Sequence, residues 1–229
     1  MISRQRTGHR AVTCSQGFCE ARLNDLSAGQ GVDSLFPIRR PLELEIGCGK
    51  GRFIIRSAVA YPDRNFLAVE VARRFHNIAL RRANSRQLAN LRLLCTDAKF
   101  LIRHVLADAS LRAVHILFPD PWPKTRHKKR RMLQPDLLHA LLRVLEDDGC
   151  LHIATDHQEY WEAILVAVAG VPELVRMSRF TLDDRLPVGE LGHTNYEVKY
   201  RRTGRVINQG TWRRRGRKEK PGEGDSPGR

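Results

Sequence analysis

The sequence predicts an α/β fold: a doubly wound, mostly parallel, seven-stranded sheet with helices on both faces. Short apolar runs of strand length alternate with longer segments of helical periodicity, and this alternation is typical of parallel sheets. The length of 229 residues and a hydrophobic content of 41% suit one globular domain with a sizeable core. The last two apolar runs follow each other without a helix, and they predict an antiparallel strand near the C-terminus.

The strands are predicted from apolar runs that turn-forming residues interrupt. The first run, over residues 42–46, alternates polar and apolar residues at period two and ends in glycines. The fourth run stops at Pro119 and Pro121, because proline has no N–H for a sheet ladder. The predicted strands are residues 42–46, 65–69, 91–95, 113–118, 150–155, 173–181 and 196–202, with the last two as a hairpin pair.

The helices are predicted where apolar residues recur at helical spacing. Phe53 and Ala58 lie on one side of the first helix, which Pro62 ends. Pro135 stands in the first turn of the fourth helix, and Gly149 follows its end. The predicted helices are residues 52–61, 71–87, 98–106, 135–146 and 157–169.

The chain divides into one domain and two basic tails. Residues 1–40 show no sustained period and are predicted to form an irregular basic arm that becomes ordered near Phe36 and Pro37. Residues 41–212 hold the predicted domain. Residues 213–229 consist largely of Gly, Pro, Lys and Arg, so they cannot bury enough apolar surface to fold and are predicted to be a disordered basic tail.

The overall charge indicates a polyanionic partner. Forty Lys and Arg residues against 25 Asp and Glu give a formal net charge of +15. Nucleic acid is a commoner partner than a membrane for such a domain, although a solvated charged surface gives the same balance. The longest apolar run, residues 163–171, is too short to span a bilayer, and the first thirty residues lack the apolar core of a secretory signal.

The five cysteines favour a reducing compartment. Their number is odd and no C-x-x-C pair occurs, so a disulfide framework is not expected and a cytoplasmic location is. The histidines and cysteines also lack zinc-binding spacing, and we therefore predict no metal.

A glycine-rich turn follows the first predicted strand, at the sheet edge where doubly wound folds bind ligands. Residues 45–51 read E-I-G-C-G-K-G, with glycines at Gly47, Gly49 and Gly51. This spacing differs from the G-x-G-x-x-G fingerprint and lacks the G-K-[ST] of a P-loop. A plain tight turn would look the same by itself. The position before a helix, with Glu45 at its edge, favours a ligand-binding turn.

Acidic residues stand at the ends of the first three predicted strands, as Glu45, Glu70 and Asp97. Glu70 is placed to accept hydrogen bonds from ribose hydroxyls, and Asp97 from the exocyclic amine of an adenine. Each has a structural alternative, since Glu70 suits a capping role at the next helix and Asp is a favoured N-cap. Together they predict a nucleoside crevice without a phosphate clamp. S-adenosylmethionine (SAM) fits it, having adenine, ribose and a cationic tail but no phosphate.

The predicted reacting centre follows the fourth strand, where residues 118–124 read F-P-D-P-W-P-K. Two prolines hold Asp120 rigidly, and Trp122 adds a flat apolar surface that either stacks on a base or packs the loop. The alternative is a rigid proline-rich loop without chemistry. Residues 124–131 then carry six Lys or Arg and no acid. Such a run is often only a solvated face, but beside a candidate active site it suits RNA phosphates.

These motifs together resemble the bacterial tRNA (guanine-N(7)-)-methyltransferase family. The matching pieces are E-I-G-C-G-K-G at 45–51, F-P-D-P-W-P-K-x-R-H-K-K-R-R at 118–131, A-T-D at 154–156 and T-N-Y-E at 194–197. They occur in the family's order. The glycine turn is generic to SAM-dependent methyltransferases, whereas the P-D-P-W run with its basic continuation is highly specific. The last family motif usually reads T-K-F-E, so its outer residues match here.

The resemblance implies a Rossmann-like class I methyltransferase that methylates N7 of guanosine at position 46, in the tRNA variable loop. It implies SAM as cofactor, S-adenosylhomocysteine as product and Asp120 as the catalytic residue. The implied SAM site consists of Glu45, Gly47, Gly49, Gly51, Glu70, Asp97 and Asp120. The implied guanosine site consists of Lys124, Asp156, Thr194, Asn195, Tyr196 and Glu197. The implied RNA contacts are Arg126, His127, Lys128, Lys129, Arg130 and Arg131.

Two other functions remain open on the sequence alone. One is a SAM-dependent methyltransferase with another target, such as an RNA exocyclic amine or a protein side chain. The other is a non-enzymatic RNA-binding protein on a degenerate methyltransferase scaffold, against which the four acids argue. We expect tRNA as the partner, no membrane, and a monomer or a homodimer.

Overall fold

The computed structural model describes residues 19–26, 31–180 and 194–216. Within these ranges it has eight strands: β1 (Glu20–Ala21), β2 (Leu42–Ile46), β3 (Asn65–Val69), β4 (Leu91–Leu94), β5 (Leu111–Leu117), β6 (Leu145–Thr155), β7 (Leu174–Arg176) and β8 (Asn208–Arg214). The α-helices are α1 (Arg52–Ala60), α2 (Arg73–Asn84), α3 (Ala98–Phe100), α4 (Pro135–Val144), α5 (Gln158–Ala169) and α6 (Asn195–Arg202). A π-helical turn, Leu101–Val105, continues α3.

The strands form one sheet in the order β1-β4-β3-β2-β5-β6-β8-β7. Strands β1 to β6 pair in parallel, and β8 runs antiparallel to both of its neighbours, β6 and β7. This arrangement confirms the predicted fold class, with the two-residue β1 added at one edge. The carboxyl ends of β2, β3, β4 and β5 therefore meet at one edge of the sheet, as the site prediction requires.

The two faces of the sheet carry separate apolar clusters, as a doubly wound fold requires. One cluster joins buried residues of α4 and α5, such as Leu141 and Ile164, to Leu44 of β2. The other joins residues of α1 and α2, such as Ile54 and Ala79, to Phe66 of β3. The alternation that predicts β2 thus places its leucines against α4 and α5 and its glutamates on the α1 side.

The predicted strand over residues 196–202 is wrong, because this segment forms helix α6. Thr194 begins the helix: its Oγ1 accepts a hydrogen bond from the Glu197 backbone N–H at 2.9 Å. A Thr followed by Glu three residues later is the sequence signature of a helix start. The last strand is instead β8. Gly210 interrupts the alternating pattern of this strand in the sequence, and the packing requires glycine there, since a Cβ would lie 2.8 Å from the Trp212 ring.

Part of the predicted N-terminal arm belongs to the sheet. β1 pairs in parallel with β4, and Val32 and Phe36 are buried in the core. A strand of two residues is too short to show a period, so the sequence gives no sign of it. β8 also continues two residues beyond the predicted domain end at 212. The predicted character of residues 1–18, 27–30 and 217–229 lies outside the described residues and stays a prediction.

Other boundaries also differ from those predicted, most clearly at β7, α4 and β6. β7 is shorter than the predicted strand over 173–181, of which residue 181 lies outside the described part of the chain. α4 ends at Val144, and β6 begins directly after it. Across the described ranges, no helix is long and apolar enough to cross a membrane.

Candidate active site

The glycine turn between β2 and α1 is tight and closely packed. Gly47, Gly49 and Gly51 have φ values of 73°, 53° and 73°, which favour glycine. The backbone N–H of Gly47 donates to the Val69 carbonyl at 2.8 Å, which ties the turn to the end of β3. At Gly51 a side chain would also collide with α2, since a Cβ would lie 2.9 Å from the Ala79 Cβ. The positive φ values therefore favour glycine throughout the turn, and the contact with α2 requires it at Gly51.

Glu70 holds the glycine turn against the start of α2. Its Oε2 accepts a hydrogen bond from the Gly49 N–H at 2.9 Å, and its Oε1 accepts one from the Ala72 N–H at 2.8 Å. Ala72 is the N-cap of α2, so the structural alternative for Glu70 is realised here. Each carboxylate oxygen has a second lone pair, and these bonds therefore leave Glu70 able to accept from ribose hydroxyls.

Glu45 is a buried carboxyl at the end of β2 with an unused hydrogen-bond acceptor. It is 3% exposed, and no described residue donates to its Oε2. Burial raises the pKa of Glu45 to about 8. A backbone hydrogen bond from Ile54 opposes this shift, and the nearby charge of Glu70 adds to it. A cationic group placed here would satisfy the free oxygen and favour the ionised carboxylate.

Asp97 follows β4 and caps α3. Its Oδ1 accepts a hydrogen bond from the Phe100 N–H at 2.8 Å, which is the N-cap geometry named as its structural alternative. Asp97 is exposed at the carboxyl edge of the sheet, two strands from β2. Both roles, the cap and a contact to an adenine amine, are compatible because the cap uses one carboxylate oxygen.

The loop after β5 presents Asp120 on a strained backbone. Phe118 and Trp122 both adopt positive φ, at 57° and 42°, which is uncommon for bulky side chains. The Phe118 N–H donates to the Ala154 carbonyl at 2.7 Å. Asp120, between Phe118 and Trp122 in the sequence, is exposed. Strain of this kind persists only where surrounding contacts hold it, and it clusters at functional sites.

Arg131 supplies the contact that holds this loop from below. Its Nε donates to the Pro121 carbonyl at 2.8 Å, and its two terminal nitrogens lie 3.3 and 3.2 Å from the Glu159 carboxylate oxygens. Its guanidinium also stacks on the Tyr160 ring at 4.8 Å, and the residue is only 3% exposed. The structure therefore places Arg131 in the support of the loop, away from the surface that would meet RNA.

The remaining basic residues form a single exposed turn. Thr125–Arg130 is a short 3-10 helix that starts after Lys124, and Lys124, Arg126, Lys129 and Arg130 are exposed. Lys128 is partly used, since its Nζ lies 2.6 Å from the Glu159 carboxylate. Among the described residues, no carboxylate pairs with the other basic side chains of this turn, so they can bind phosphates.

Trp122 packs within this loop. The Arg130 guanidinium lies 5.1 Å from its ring centroid, and the His127 ring meets it edge-on at 5.7 Å. Of the two roles predicted for Trp122, this structure contains the packing one. His127 is thereby placed beside Trp122, half-buried, rather than fully on the surface.

The start of α6 lies against the same loop. The Phe118 ring is 6.3 Å from that of Tyr196 and 5.7 Å from that of Tyr200. Thr194 and Glu197 are buried, whereas Asn195 and Tyr196 are exposed. The structure thus brings the predicted 194–197 segment to the Asp120 loop, although the segment is helical.

Asp156 also lies on this rim, and it has a partner that the sequence does not indicate. The Arg205 Nη1 donates to its Oδ2 at 2.6 Å, and the same guanidinium lies 4.9 Å from the Tyr200 ring centroid. Sequence reasoning missed Tyr200 because it placed residues 196–202 in a strand, and it missed Arg205 because its partner Asp156 lies 49 residues away in the sequence. The Thr194 capping signature, read as a helix start, would have put Tyr196 and Tyr200 on one face.

Solved structures share the fold of this chain. The aminoglycoside resistance methyltransferase NpmB1 matches with a TM-score of 0.50 and 13% identity over 80% of this chain and 89% of that chain. The [4+2]-cyclase SpnF matches with a TM-score of 0.51 and 16% identity over 77% and 76%. These similarities concern the fold alone. The sheet order and the glycine turn give this chain the Rossmann-like fold of class I methyltransferases.

Sequence relatives narrow the class to a family. A family model described as "Putative methyltransferase" matches residues 39–209. The tRNA (guanine-N(7)-)-methyltransferase of Alkalilimnicola ehrlichii is 37% identical over 199 residues, which cover 85% of this chain and 81% of that protein. The enzyme of the same name from Mycolicibacterium paratuberculosis is 38% identical over 80% of this chain and 70% of that protein. The chain belongs to the tRNA (guanine-N(7)-)-methyltransferase family, which confirms the resemblance seen in its motifs.

Proposed function

We propose that this protein transfers a methyl group from SAM to N7 of the guanosine at position 46, in the variable loop of tRNA, and releases S-adenosylhomocysteine. The observation that carries the proposal is the strained loop that presents Asp120: it follows β5, which is next to β2 in the sheet, and its Phe118 contacts the start of α6. The two relatives described above bear the name of this activity.

The residues at the carboxyl edge fit SAM. Glu45 offers an unpartnered buried oxygen to the cationic amino-acid tail, and Glu70 keeps lone pairs for the ribose hydroxyls. Asp97 keeps an oxygen for the adenine amine. Gly47, Gly49 and Gly51 allow close approach of the backbone. When bound, SAM supplies an electrophilic methyl group on a sulfonium sulfur.

Asp120 is the proposed catalytic residue. Neutral guanine has an available lone pair on N7, so no base is needed to remove a proton before transfer. The chain's task is then to orient the base, which accounts for a large part of catalysis in such displacements. Asp120 accepts from the guanine N1–H or N2–H₂ edge, and its negative charge stabilises the positive charge that develops on the purine.

The guanosine is held by groups around that carboxylate. Lys124, exposed four residues after Asp120, donates to O6 or fixes a phosphate. Asp156 and the 194–197 segment complete the pocket, and Tyr196 is exposed against Phe118. Bringing the base out of its tertiary contacts costs about a few kcal/mol. Arg126, His127, Lys128, Lys129 and Arg130 are the proposed RNA contacts of the basic turn.

The test is methyl transfer from labelled SAM to unmodified tRNA, followed by chain cleavage at 7-methylguanosine. Label at the variable-loop guanosine is the expected result. Label at another nucleotide would contradict the proposed target nucleotide but would still support SAM-dependent methyltransferase activity. Binding of tRNA without any label would favour the non-enzymatic alternative. The cytoplasmic location and the choice between monomer and homodimer stay predictions.

A further inference from the structure

A groove between α1 and the end of α2 is lined by four arginines. Arg52 and Arg56 come from α1, and Arg82 and Arg86 come from the end of α2 and the residues after it. The groove has a volume of about 420 Å³. Its other lining residues are Gly51, Ile55, Ser85 and Asn195, so no carboxylate lines it among the residues that the structure describes.

Two of the arginines in this groove, Arg52 and Arg82, are placed to meet an anion. Arg52 Nε is buried, and no described residue accepts a hydrogen bond from it. A guanidinium N–H that is removed from water without an acceptor is costly, which an incoming ligand oxygen would correct. Arg82 is fixed over the glycine turn by donating from Nη1 to the Lys50 carbonyl at 3.2 Å. The N-terminus of α1, at Gly51, adds the positive end of the helix dipole.

The position of the groove relates it to the candidate active site. Asn195 lines the groove, and it is also the first residue of α6, whose next residue Tyr196 contacts the Asp120 loop through Phe118. The groove is therefore a neighbour of the proposed guanosine pocket. It is built from different elements than the basic turn Thr125–Arg130, which lies after β5.

We propose that this groove binds the sugar–phosphate backbone of tRNA, as a second RNA contact surface beside the target guanosine. Guanidinium groups present paired N–H donors that match phosphate oxygens, and several of them in a row suit a polyanion better than a single small acid. The inference rests on the proposed function, because it takes tRNA as the macromolecule that occupies the active site.

The experiment compares two double variants, in α2 and directly after it, that remove equal charge. Arg82→Ala with Arg86→Ala empties one wall of the groove. Arg74→Ala with Arg81→Ala removes two other exposed arginines of the same helix that do not line it. For each protein, the Kd for unmodified tRNA is measured over a range of salt concentrations, together with the Kd for SAM, the thermal midpoint and the rate of N7 methylation.

The groove variant should weaken tRNA binding by about 20-fold at moderate salt and reduce the slope of log K against log [salt] by about 1.5, as expected for two lost phosphate contacts. Its Kd for SAM and its thermal midpoint should match wild type. The control variant should change tRNA binding by less than a third of that factor, because only long-range charge is lost.

Three results would overturn the inference. Equal effects of the two variants would show that only the net charge of the protein affects tRNA binding. An unchanged tRNA affinity in the groove variant would show that the groove does not contact tRNA. A weakened Kd for SAM with an unchanged salt slope would assign the arginines to the cofactor's carboxylate. The proposed function fails by a different result: wild type binds tRNA but transfers no methyl group. In that case a reduced salt slope of tRNA binding in the groove variant would still support the groove as an RNA contact surface.

Discussion

The buried carboxyl of Glu45 is the residue whose chemistry depends most on a ligand. Its Oε2 has no donor among the described residues, and burial keeps its pKa near 8. At neutral pH the carboxyl is therefore largely protonated in the free protein. A cationic tail facing it would lower that pKa, so binding would release a proton.

The affinity for S-adenosylhomocysteine should consequently rise with pH. Between pH 6 and 8 we expect an increase of up to about tenfold per pH unit, because only the ionised carboxylate attracts the ligand's ammonium group, and a plateau above pH 8. Calorimetric titrations across this range measure it. In Glu45→Gln the rise should vanish, and parallel pH profiles for the two proteins would exclude Glu45 as the titrating group.

Arg131 shows how one residue of a basic run can have a structural task. The run suggests an RNA contact, but burial and the bonds to Pro121 and Glu159 place it in the support of the Asp120 loop. The charged hydrogen bonds from Lys128 and then Arg131 lower the pKa of Glu159 to about 2, so this carboxylate stays ionised at neutral pH. Arg131 is a positioning residue in this account.

Arg131→Lys should lower kcat by about tenfold to a hundredfold, because lysine cannot make the forked contact that fixes the loop. The salt slope of tRNA binding should stay at its wild-type value. Exposed Arg130 is the matched control, since Arg130→Ala should reduce that slope by up to about 1. A reduced slope with an unchanged kcat in Arg131→Lys would instead make it an RNA contact.

Among the elements, α6 carries the guanosine-binding segment and depends on its first residue. Thr194 Oγ1 caps the helix at the Glu197 N–H, and the helix then carries Tyr196 and Tyr200 to the Phe118 ring. The position of these side chains therefore depends on a local hydrogen bond as well as on packing.

Thr194→Ala should destabilise this helix by about 1 kcal/mol, because a capped N–H loses its acceptor. The KM for tRNA should rise while the Kd for SAM stays unchanged. Thr194→Ser keeps the hydroxyl and should behave as wild type in steady-state kinetics. If serine failed as badly as alanine, the capping explanation would be wrong.

The sequence predicts the central elements well because their signals are local. The period-two pattern of β2 and the proline after α1 are read within a few residues. α6 is different, since Tyr196, Val198 and Tyr200 also alternate at period two along the sequence, and only the capping spacing separates helix from strand. β1 has two residues and is defined by its pairing with β4, which no local pattern contains.

The predicted site residues follow the same division. The strand-end acids and the Asp120 loop are found because strand ends of a parallel sheet meet at one edge. The roles of Arg131, Glu159 and Arg205 depend on long-range contacts. Arg131 and Glu159 are 28 positions apart in the sequence, and Arg205 is 49 positions from Asp156. Sequence order holds no direct record of such contacts.

In the molecule as a whole, a buried polar row crosses the sheet. His115 Nε2 lies 2.9 Å from a Glu43 oxygen, the His115 and His152 rings stack at 4.9 Å, and His152 Nδ1 lies 3.0 Å from the Thr211 Oγ1. Burial, with the neighbouring His115, lowers the pKa of His152 to about 3. Burial raises the pKa of Glu43, but His115 and then Arg64 outweigh it and bring the value to about 2.

This row should make the fold sensitive to acid. The pKa of His152 is lower in the folded state than in the unfolded chain, so the unfolded chain binds more protons between pH 6.5 and 3. Stability present above pH 6.5 is lost as the pH falls, by about 2 kcal/mol between pH 7 and 5 from this residue. Urea unfolding at both pH values measures the loss, and a folded-state titration of His152 near pH 6 by NMR would contradict it.

The most direct test of the account is the single-turnover rate of Asp120→Asn on unmodified tRNA, measured with saturating SAM. Asparagine keeps the size of the side chain and removes the negative charge that faces the developing purine cation. The account predicts a loss of about a hundredfold or more in the rate, with the Kd for tRNA within a few-fold of wild type. Methyl transfer at the wild-type rate would show that the Asp120 charge is not what drives this reaction.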